Sequence, residues 1–321
     1  MLCSAPVAME TVKPLISVVT PCWNEAGNVR ELRKQILAVF DSLPEYQHEQ
    51  IYIDNNSTDG TIAILRELAA DDSRVKVIIN QRNFGHIRSP YHAFLQASGD
   101  AVIVMVSDLQ DPPSLIVDFL RKWREGFKII LGQKVESDES KLIYALRTTY
   151  YRLVSKLSDT ELPQHVTGFG LYDRVVVEQF RELNDLYPYV RGIIAEFGYP
   201  LARISYRQPM RKSGVTKNNF YTLYDMAMLG ITSHSKVPLR LATMLGFLCS
   251  FLSLLVAAIY FIYKLMFWNS FAVGIAPLVI GLFVFSSVQL FFIGMVGEYI
   301  GAIHTQILKR PIVVERERIN F

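Results

Sequence analysis

Two side chains with the chemistry of metal ligands follow the apolar run Ala101–Ser107. Asp108 and Gln110 stand two positions apart in the segment Ser107-Asp108-Leu109-Gln110-Asp111-Pro112-Pro113. Because alternate side chains of an extended chain point to one face, both can offer oxygen atoms to one hard cation, Mg²⁺ or Mn²⁺. Asp111 could instead cap the helix predicted after the prolines. The segment therefore predicts a divalent ion that keeps open positions for substrate phosphates.

A second polar segment, Asp54-Asn55-Asn56-Ser57-Thr58-Asp59-Gly60-Thr61, follows another apolar run. Ser57 or Asp59 could simply cap the helix predicted from Gly60. Capping does not explain Asp54, which ends the apolar run and needs a partner if it is buried. A third segment, Thr20-Pro21-Cys22-Trp23-Asn24-Glu25, follows the first apolar run in the same way.

Three cations stand close together in Tyr206-Arg207-x-x-x-Arg211-x-x-Gly214-x-Thr216-Lys217. Arg207, Arg211 and Lys217 can hold a phosphate, and Gly214 permits close approach of the backbone. The alternative is a positive stripe attracted to anionic lipid. The two interpretations are compatible.

The elements that must position these side chains alternate between strand and helix. We predict strands at Leu15–Thr20, Gln50–Asp54, Val75–Asn80, Ala101–Ser107 and Lys128–Gln133, and helices at Gly27–Phe40, Gly60–Ala70, Ser89–Ala97 and Ser114–Glu125. Repeated βα units predict a mostly parallel α/β sheet that binds ligands at the carboxyl ends of its strands. No G-x-G-x-x-G follows the first strand and no G-x-x-x-x-G-K-[ST] occurs, which argues against dinucleotide oxidoreductases and P-loop enzymes.

The C-terminal part of the chain is strongly apolar. Of 321 residues, 50% are hydrophobic and 20% charged, and Leu241–Tyr263 and Phe271–Gly297 carry no charge at all. Each run is long enough to span a bilayer, and the short link predicts a transmembrane hairpin. Flanking cations place both chain ends in the cytoplasm: Lys236, Arg240, Lys309 and Arg310. The alternative is a buried hairpin in a soluble core.

Charge and cysteine content exclude other classes of protein. The net charge of +3 argues against a nucleic-acid binder, and the three scattered cysteines exclude a disulfide scaffold. Residues 1–13 lack the pattern of a signal peptide and are predicted to be a flexible tail. We predict a cytoplasmic domain over 14–219, an interfacial amphipathic segment over 220–238, the hairpin over 239–303 and a cytoplasmic tail over 304–321.

Four motifs together resemble those of family 2 glycosyltransferases. They are Thr20-Pro21-x-x-Asn24-Glu25, Asp54-Asn55-x-Ser57-x-Asp59-Gly60-Thr61, Arg82-Asn83-Phe84-Gly85 and Asp108-Leu109-Gln110-Asp111-Pro112-Pro113. The chain is most similar to polyprenyl-phosphate (dolichyl-phosphate-type) glycosyltransferases with a C-terminal transmembrane hairpin. The resemblance runs from Pro14 to nearly the end of the chain. It implies an A-type glycosyltransferase fold, which is Rossmann-like.

The resemblance also implies roles for individual residues. The residues implied to bind the nucleotide sugar are Pro21, Asn24, Glu25, Asp54, Asn55, Ser57, Arg82 and Asn83. Asp108 and Gln110 would hold Mg²⁺ or Mn²⁺ and the diphosphate, in a catalytic segment that ends at Asp111. Arg207, Arg211 and Lys217 would hold the phosphate of the acceptor. Asn55 replaces a frequent second Asp, so its contact with base or ribose stays open.

The implied protein is a multi-pass membrane enzyme, in the plasma (inner) membrane if the source is bacterial. Its partners would be a nucleotide sugar, a polyprenyl phosphate, the lipid bilayer and further copies of itself in a homo-oligomer.

One stretch departs from the family pattern. The acid often proposed as catalytic base falls on Gly168, and the family's Arg falls on Gly170. Either the chain is inactive or its reaction needs no base there. A polyprenyl phosphate is already largely ionised near pH 7, because the second pKa of a phosphate monoester is about 6. We therefore expect an inverting transfer of one sugar to a polyprenyl phosphate.

Two other functions stay open. A processive polysaccharide synthase has the same fold, but Gln208-Pro209-Met210-Arg211-Lys212 lacks the Trp of the synthase acceptor motif. A non-catalytic membrane scaffold or lipid-binding protein would be consistent with Gly168.

Overall fold

The computed structural model describes residues 13–136, 166–183, 185, 188–208, 237–267, 275–308 and 310–321. The chain forms two compact units. The first comprises Met1–Lys141, Pro163–Lys217 and Lys309–Phe321, and the second comprises Leu142–Leu162 and Asn218–Leu308.

An eight-stranded sheet forms the centre of the first unit. Its strands are β1 (Leu15–Cys22), β2 (Gln47–Asp54), β3 (Val75–Asn80), β4 (Ala101–Val104), β5 (Ile129–Glu136), β6 (Val166–Asp173), β7 (Leu201–Arg207) and β8 (Glu315–Ile319). The spatial order is β7-β5-β6-β4-β1-β2-β3-β8. Only β6 and β8 run antiparallel to their neighbours. The carboxyl ends of the other six strands therefore share one edge, and the predicted mostly parallel α/β sheet is confirmed.

Helices cover both faces of this sheet. They are α1 (Val29–Asp41), α2 (Thr61–Asp71), α3 (Gly85–Gln96), α4 (Leu115–Arg124), α5 (Arg174–Leu183) and α6 (Val190–Phe197). Buried side chains of α3, α5 and α6 form one core cluster, and those of α1, α2 and α4 pack on the opposite face. In α1 the buried residues Val29, Leu32, Ile36 and Phe40 recur at helical spacing. Each face thus has an apolar layer that fixes the strand ends.

Several boundaries near the site differ from those predicted, among them the end of β1 at Cys22 rather than Thr20. Strand β4 ends at Val104 rather than Ser107, and Leu109 has a φ of 61°. The expectation that Asp108 and Gln110 lie on an extended chain is therefore wrong, because they belong to a turn. Helix α3 begins at Gly85 rather than Ser89 and contains Pro90.

The C-terminal residues form a strand that the sequence did not predict. Strand β8 pairs with β3 at the edge of the sheet. Its carboxylates pair with the flanking helices: Glu317 lies 2.5 Å from Arg66 of α2, and Glu315 lies 2.6 Å from His92 of α3. The predicted tail is therefore in part an ordered element of the first unit.

The second unit contains two long apolar helices, α7 (Val237–Met266) and α8 (Ile275–Ile307). Large apolar side chains are widely exposed, such as Phe247 at 72% and Leu278 at 71%. Among the described residues, one stretch, Val284–Ile307, is long and apolar enough to cross a membrane. By its length and composition this stretch is suited to cross a membrane, and the two-helix hairpin stays a prediction.

Candidate active site

Parallel pairing of β1 and β2 brings two of the polar segments together. Cys22 is in register with Asp54 at the ends of the two strands. The backbone N–H of Asn24 donates to Ser57 Oγ at 2.8 Å, and the N–H of Thr58 donates to Asn24 Oδ1 at 2.8 Å. Asn24 has a φ of 57°, a left-handed conformation that Asn tolerates better than most residues. The two turns therefore hold each other in one geometry.

Asp54 is completely buried, and its partner is Ser57. The N–H of Ser57 donates to one carboxylate oxygen at 2.8 Å, and its hydroxyl donates to the other at 2.5 Å. Burial raises the pKa of the Asp54 carboxyl, and the hydrogen bonds from Ser57 oppose this shift. Ser57 thus orients the buried acid and does not cap α2.

The edge of the same turn carries Glu25 and Asp59. The N–H of Glu25 donates to Thr61 Oγ1 at 2.9 Å, and the Glu25 carboxylate accepts from Asn28 Nδ2 at 2.6 Å. Asp59 accepts from the N–H of Thr61, the first residue of α2, at 2.9 Å, whereas the N-cap residue itself is Gly60. Glu25 itself is half-buried beside the turn.

Asn55 connects this region to the segment Arg82–Gly85. Its Nδ2 donates to Asn83 Oδ1 at 2.8 Å and to Gly85 O at 3.1 Å. Its Oδ1 accepts from the N–H of Phe84 at 2.8 Å. A carboxylate here would place an oxygen against two other acceptors, so the network explains why Asn replaces Asp. Asn55 therefore positions the segment rather than facing a ligand.

Arg82 lies on the exposed side of that segment. Its guanidinium stacks on the Phe84 ring, 4.1 Å from the centroid, and donates to the carbonyl of Asn83 at 3.0 Å. The side-chain oxygen of Asn83 accepts from the N–H of Gly85 at 2.8 Å. Arg82 thus lies exposed near the carboxyl end of β3, whereas the Asn83 side chain stabilises the turn.

The segment Ser107–Asp111 lies next to the end of β1. Ser107 Oγ donates to the carbonyl of Pro21 at 2.9 Å, which joins this turn to the first polar segment. The N–H of Gln110 donates to Asp108 Oδ1 at 3.1 Å, and both side chains are half-buried. The turn therefore keeps Asp108 and Gln110 at the carboxyl edge of the sheet.

Asp111 is buried and does not cap α4. The hydroxyl of Tyr206 donates to its Oδ1 at 3.0 Å, and the N–H of Val106 donates to its Oδ2 at 3.3 Å. Burial raises the pKa of Asp111 to about 6, although both hydrogen bonds lower it. The N-cap residue of α4 is Ser114, and no side chain caps it. The alternative that Asp111 caps the helix after the prolines is therefore wrong.

Asp108 and Gln110 could contribute oxygen ligands to a divalent ion. Within the described ranges, no group of three or more His, Cys, Asp or Glu side chains could hold a metal. An ion at Asp108 would thus take most of its ligands from water and phosphate oxygens. That is the usual coordination of Mg²⁺ at phosphate-transfer sites.

The acceptor residues are only partly described. Arg207 ends β7, exposed, at the same edge as Asp108. The neighbouring Tyr206 ring packs on Phe169 with 5.5 Å between centroids, and its hydroxyl bonds to Asp111. Sequence reasoning gave Tyr206 no role, and its only signal was its position beside Arg207. Arg211, Lys217 and residues 220–236 of the predicted amphipathic segment lie outside the described residues.

The two glycines that depart from the family pattern lie on β6. Gly168 has a φ of +92°, and its carbonyl accepts from the Tyr172 hydroxyl at 3.0 Å. A Cβ at Gly170 would lie 2.3 Å from the carbonyl oxygen of Ile130. The family's Arg therefore cannot occupy position 170 in this sheet.

The residues after these glycines have structural partners. Asp173 accepts from Trp123 Nε1 at 2.7 Å and from Lys128 Nζ at 2.9 Å. Burial alone would raise the pKa of Asp173, but these hydrogen bonds lower it. Arg174 donates to the carbonyls of Ala97 and Gly99. Asp173 and Arg174 thus fasten the junction of β6 and α5 to α4 and to the segments that precede β4 and β5.

Comparison with known proteins agrees with this arrangement. Residues 17–181 match glycosyl transferase family 2. "Uncharacterized glycosyltransferase YkcC" of Bacillus subtilis is 33% identical over 300 residues, covering 93% of this chain and 92% of that protein. The SfII prophage-derived bactoprenol glucosyl transferase of Shigella flexneri is 33% identical over 297 residues, covering 92% and 96%.

Among solved structures, glucosyl-3-phosphoglycerate synthase from Mycobacterium tuberculosis is similar with a TM-score of 0.48 and 19% identity, covering 68% of this chain and 76% of that one. The extent of the sequence matches, together with the polar turns at the carboxyl edge, establishes the family. The chain belongs to glycosyl transferase family 2 and is a glycosyltransferase.

Proposed function

We propose that the enzyme transfers one sugar from a nucleotide sugar to a polyprenyl phosphate, with inversion at the anomeric carbon. The observation that carries the proposal is the link between the two halves of the site. The Tyr206 hydroxyl bonds to Asp111 at 3.0 Å, so the strand that ends at Arg207 is fastened to the turn of Asp108 and Gln110. The named bactoprenol glucosyl transferases, similar over 92% of the chain, support this type of acceptor.

The donor would lie along the carboxyl edge of β4, β1 and β2. Pro21, Asn24 and Glu25 flank it from β1, while Asp54, Asn55 and Ser57 shape the turn after β2. Because Asp54 is fully buried, we assign it to positioning Ser57 and Asn24. Arg82 would approach from the end of β3, held there with Asn83 by Asn55.

Asp108 and Gln110 would hold Mg²⁺ or Mn²⁺, which supplies positive charge against the departing nucleoside diphosphate. Asp111 fixes the turn through its bonds to Val106 and Tyr206. Arg207, Arg211 and Lys217 would bind the phosphate of the acceptor.

The acceptor itself explains why no base is needed. An oxygen of the ionised lipid phosphate attacks the anomeric carbon, and the bond from that carbon to the nucleoside diphosphate breaks. No proton has to leave the nucleophile, because the second pKa of a phosphate monoester is about 6. Gly168 offers no side chain for such a task. The barrier falls through positioning and charge stabilisation.

The connectivity of the sheet supports an even number of membrane crossings. Helices α7 and α8 lie in sequence between β7 and β8, and both of these strands belong to one sheet. A chain that leaves the sheet and returns to it must end on the side of the membrane where it began. If Val284–Ile307 crosses, a second segment crosses as well.

Helix α7 is the candidate for that second crossing, because its 30 residues give about 45 Å of helix. Cations before α7 and after α8 favour a cytoplasmic site. We therefore propose a multi-pass protein with both termini in the cytoplasm. A homo-oligomer stays a prediction.

A donor screen tests the proposed reaction. The full-length protein in detergent, with Mg²⁺ or Mn²⁺, is incubated with undecaprenyl phosphate and each of a panel of radiolabelled nucleotide sugars. We expect one donor to give label in the organic extract. Asp108→Asn should abolish this product, whereas Asp118→Asn, which removes a half-buried carboxylate paired with Arg121 on α4, should not.

The other functions predict different products. Label in a water-soluble polymer would indicate a polysaccharide synthase. Nucleotide binding without transfer to any acceptor would indicate a non-catalytic scaffold.

A further inference from the structure

Strand β8 contains a bulge at Arg316. Ile79 of β3 pairs with Glu317, and the next residue, Asn80, pairs with Glu315. Arg316 is therefore the extra residue, without a partner position on β3. Bulges bend a strand and redirect a side chain, and they are frequent beside active sites.

The partners of β8 show what the bulge does. In a regular strand, Glu315 and Glu317 would point to the same face. Here Glu317 pairs with Arg66 of α2 on one face, and Glu315 pairs with His92 of α3 on the other. The bulge thus places Glu315 and Glu317 on opposite faces of the sheet. Arg316 lies between them and is exposed at the sheet edge.

The guanidinium of Arg316 reaches the donor side of the site. Its Nη1 lies 3.5 Å from Asn56 Oδ1, the outer limit of a hydrogen bond. Asn56 follows β2 by two residues, so the side chain extends across β3. The Arg316 charge also lowers the pKa of the buried Asp54, although burial is the largest effect on that carboxyl and raises its pKa.

The neighbouring charged side chains of β8 pair with other residues. Glu315 pairs with Arg318 at 2.5 Å as well as with His92, and Glu317 pairs with Arg66. The long contact with Asn56 satisfies little of the hydrogen-bonding capacity of Arg316, which has five N–H donors. The guanidinium therefore has donors to offer to a ligand at the end of β2.

The position along the sheet indicates which part of the donor this is. Neighbouring strands are about 4.8 Å apart, so β2 lies about 10 Å from β4, where Asp108 would hold the diphosphate. In the proposed donor site the turns after β1 and β2 hold the rest of the nucleotide, so its base would lie towards β2 and β3. Carbonyl oxygens on a base accept from the planar fork of Arg, and the base plane can stack on it.

We propose that Arg316 binds the base of the nucleotide sugar, so that the C-terminal strand completes the donor site. This inference rests on the proposed function, because it assumes a nucleotide donor. The base recognised this way presents a carbonyl acceptor at its edge, as uracil and guanine do.

The test compares Arg316→Gln with a matched control on the same strand, Arg318→Gln. Binding of UDP, GDP and pyrophosphate to the full-length protein with Mg²⁺ is measured by titration calorimetry, and apo stability by thermal unfolding. We expect Arg316→Gln to weaken the preferred nucleotide about tenfold, which corresponds to about 1.4 kcal/mol. Its affinity for pyrophosphate and its apo melting temperature should not change.

The control separates base binding from docking of the strand. Arg318→Gln loses the ion pair with Glu315, so it should melt earlier but bind the nucleotide as the wild type does. Wild-type nucleotide affinity in Arg316→Gln would overturn this inference alone, as would an equal loss of pyrophosphate affinity. If the wild-type protein binds neither UDP nor GDP, both the assumed nucleotide donor and this inference are overturned.

Discussion

The substitution Gly168→Asp tests whether this enzyme needs the acid found in many relatives. Gly168 has a φ of +92°, which L-residues rarely adopt, and strain of this kind costs about 1–3 kcal/mol. An added Cβ would meet no atom of the described residues within 4 Å, so they add no steric overlap. Gly168→Ala carries the same backbone strain without the carboxylate. We therefore expect both variants to lose the same stability.

The effect on rate follows from the charge. The donor diphosphate and the acceptor phosphate are both anionic, so an added carboxylate repels them. Two like charges 4 Å apart repel by about 1 kcal/mol in water, which corresponds to about a fivefold change in rate. Because no proton has to be removed, this repulsion has no compensating benefit. Gly168→Asp should therefore transfer sugar at most as fast as Gly168→Ala.

The assay measures the initial rate of sugar transfer to undecaprenyl phosphate for the wild type and both variants between pH 5 and pH 8. All three should lose activity on acidification through about pH 6, as the lipid phosphate is protonated. A Gly168→Asp enzyme that clearly outperforms both the wild type and Gly168→Ala would refute the mechanism without a base.

Three further predictions concern other parts of the chain. Arg211→Lys keeps the charge but loses the planar guanidinium, so the transfer rate at a given polyprenyl-phosphate concentration should fall severalfold. The control Lys309→Ala should behave like the wild type. If both variants transfer sugar at the wild-type rate, the cations form only a membrane-facing stripe. Asn55→Asp puts an oxygen against two acceptors and should reduce the free energy of unfolding by about 1–3 kcal/mol in urea titrations; an unchanged midpoint would contradict the network. Burial, helped by nearby arginines, lowers the pKa of His48 to about 4. A lowered pKa in the folded state means that the fold favours neutral His48, so this residue costs no stability above pH 6.5. The free energy of unfolding should fall by up to about 3 kcal/mol as the pH is lowered towards 4, and His48→Gln should reduce that loss.

The strands and turns that hold the donor residues could be predicted because their signals are local. Apolar runs such as Val75–Asn80 are buried on both faces, and each ends in a polar turn. The conformation of the turn at Asp108 could not be predicted. Leu109 has a φ of 61°, and the Asp111 carboxylate that follows it is held by Tyr206, which lies 95 residues away in sequence. The local pattern favoured an extended chain here and contains no sign of this distant contact.

Strand β8 was missed for a different physical reason. Its residues Glu315–Ile319 are mainly charged, and a strand is normally predicted from alternation of apolar and polar side chains. Here Glu317 pairs with Arg66 of α2 and Glu315 with His92 of α3, and a bulge interrupts the period of two. Nothing in the sequence indicates that these charges have partners more than 220 residues earlier.

The late position of β8 has a consequence for the folding of the sheet. Strand β3 is synthesised early, whereas residues 315–319, which pair with its outer edge, are made after both apolar helices. Until then β3 presents unpaired N–H and C=O groups, which are a template for pairing with other chains. A fragment that ends before α7 would keep that edge open permanently. Such a fragment, even though it holds Asp54 and Asp108, should self-associate, and adding residues 310–321 as a separate peptide should suppress the association.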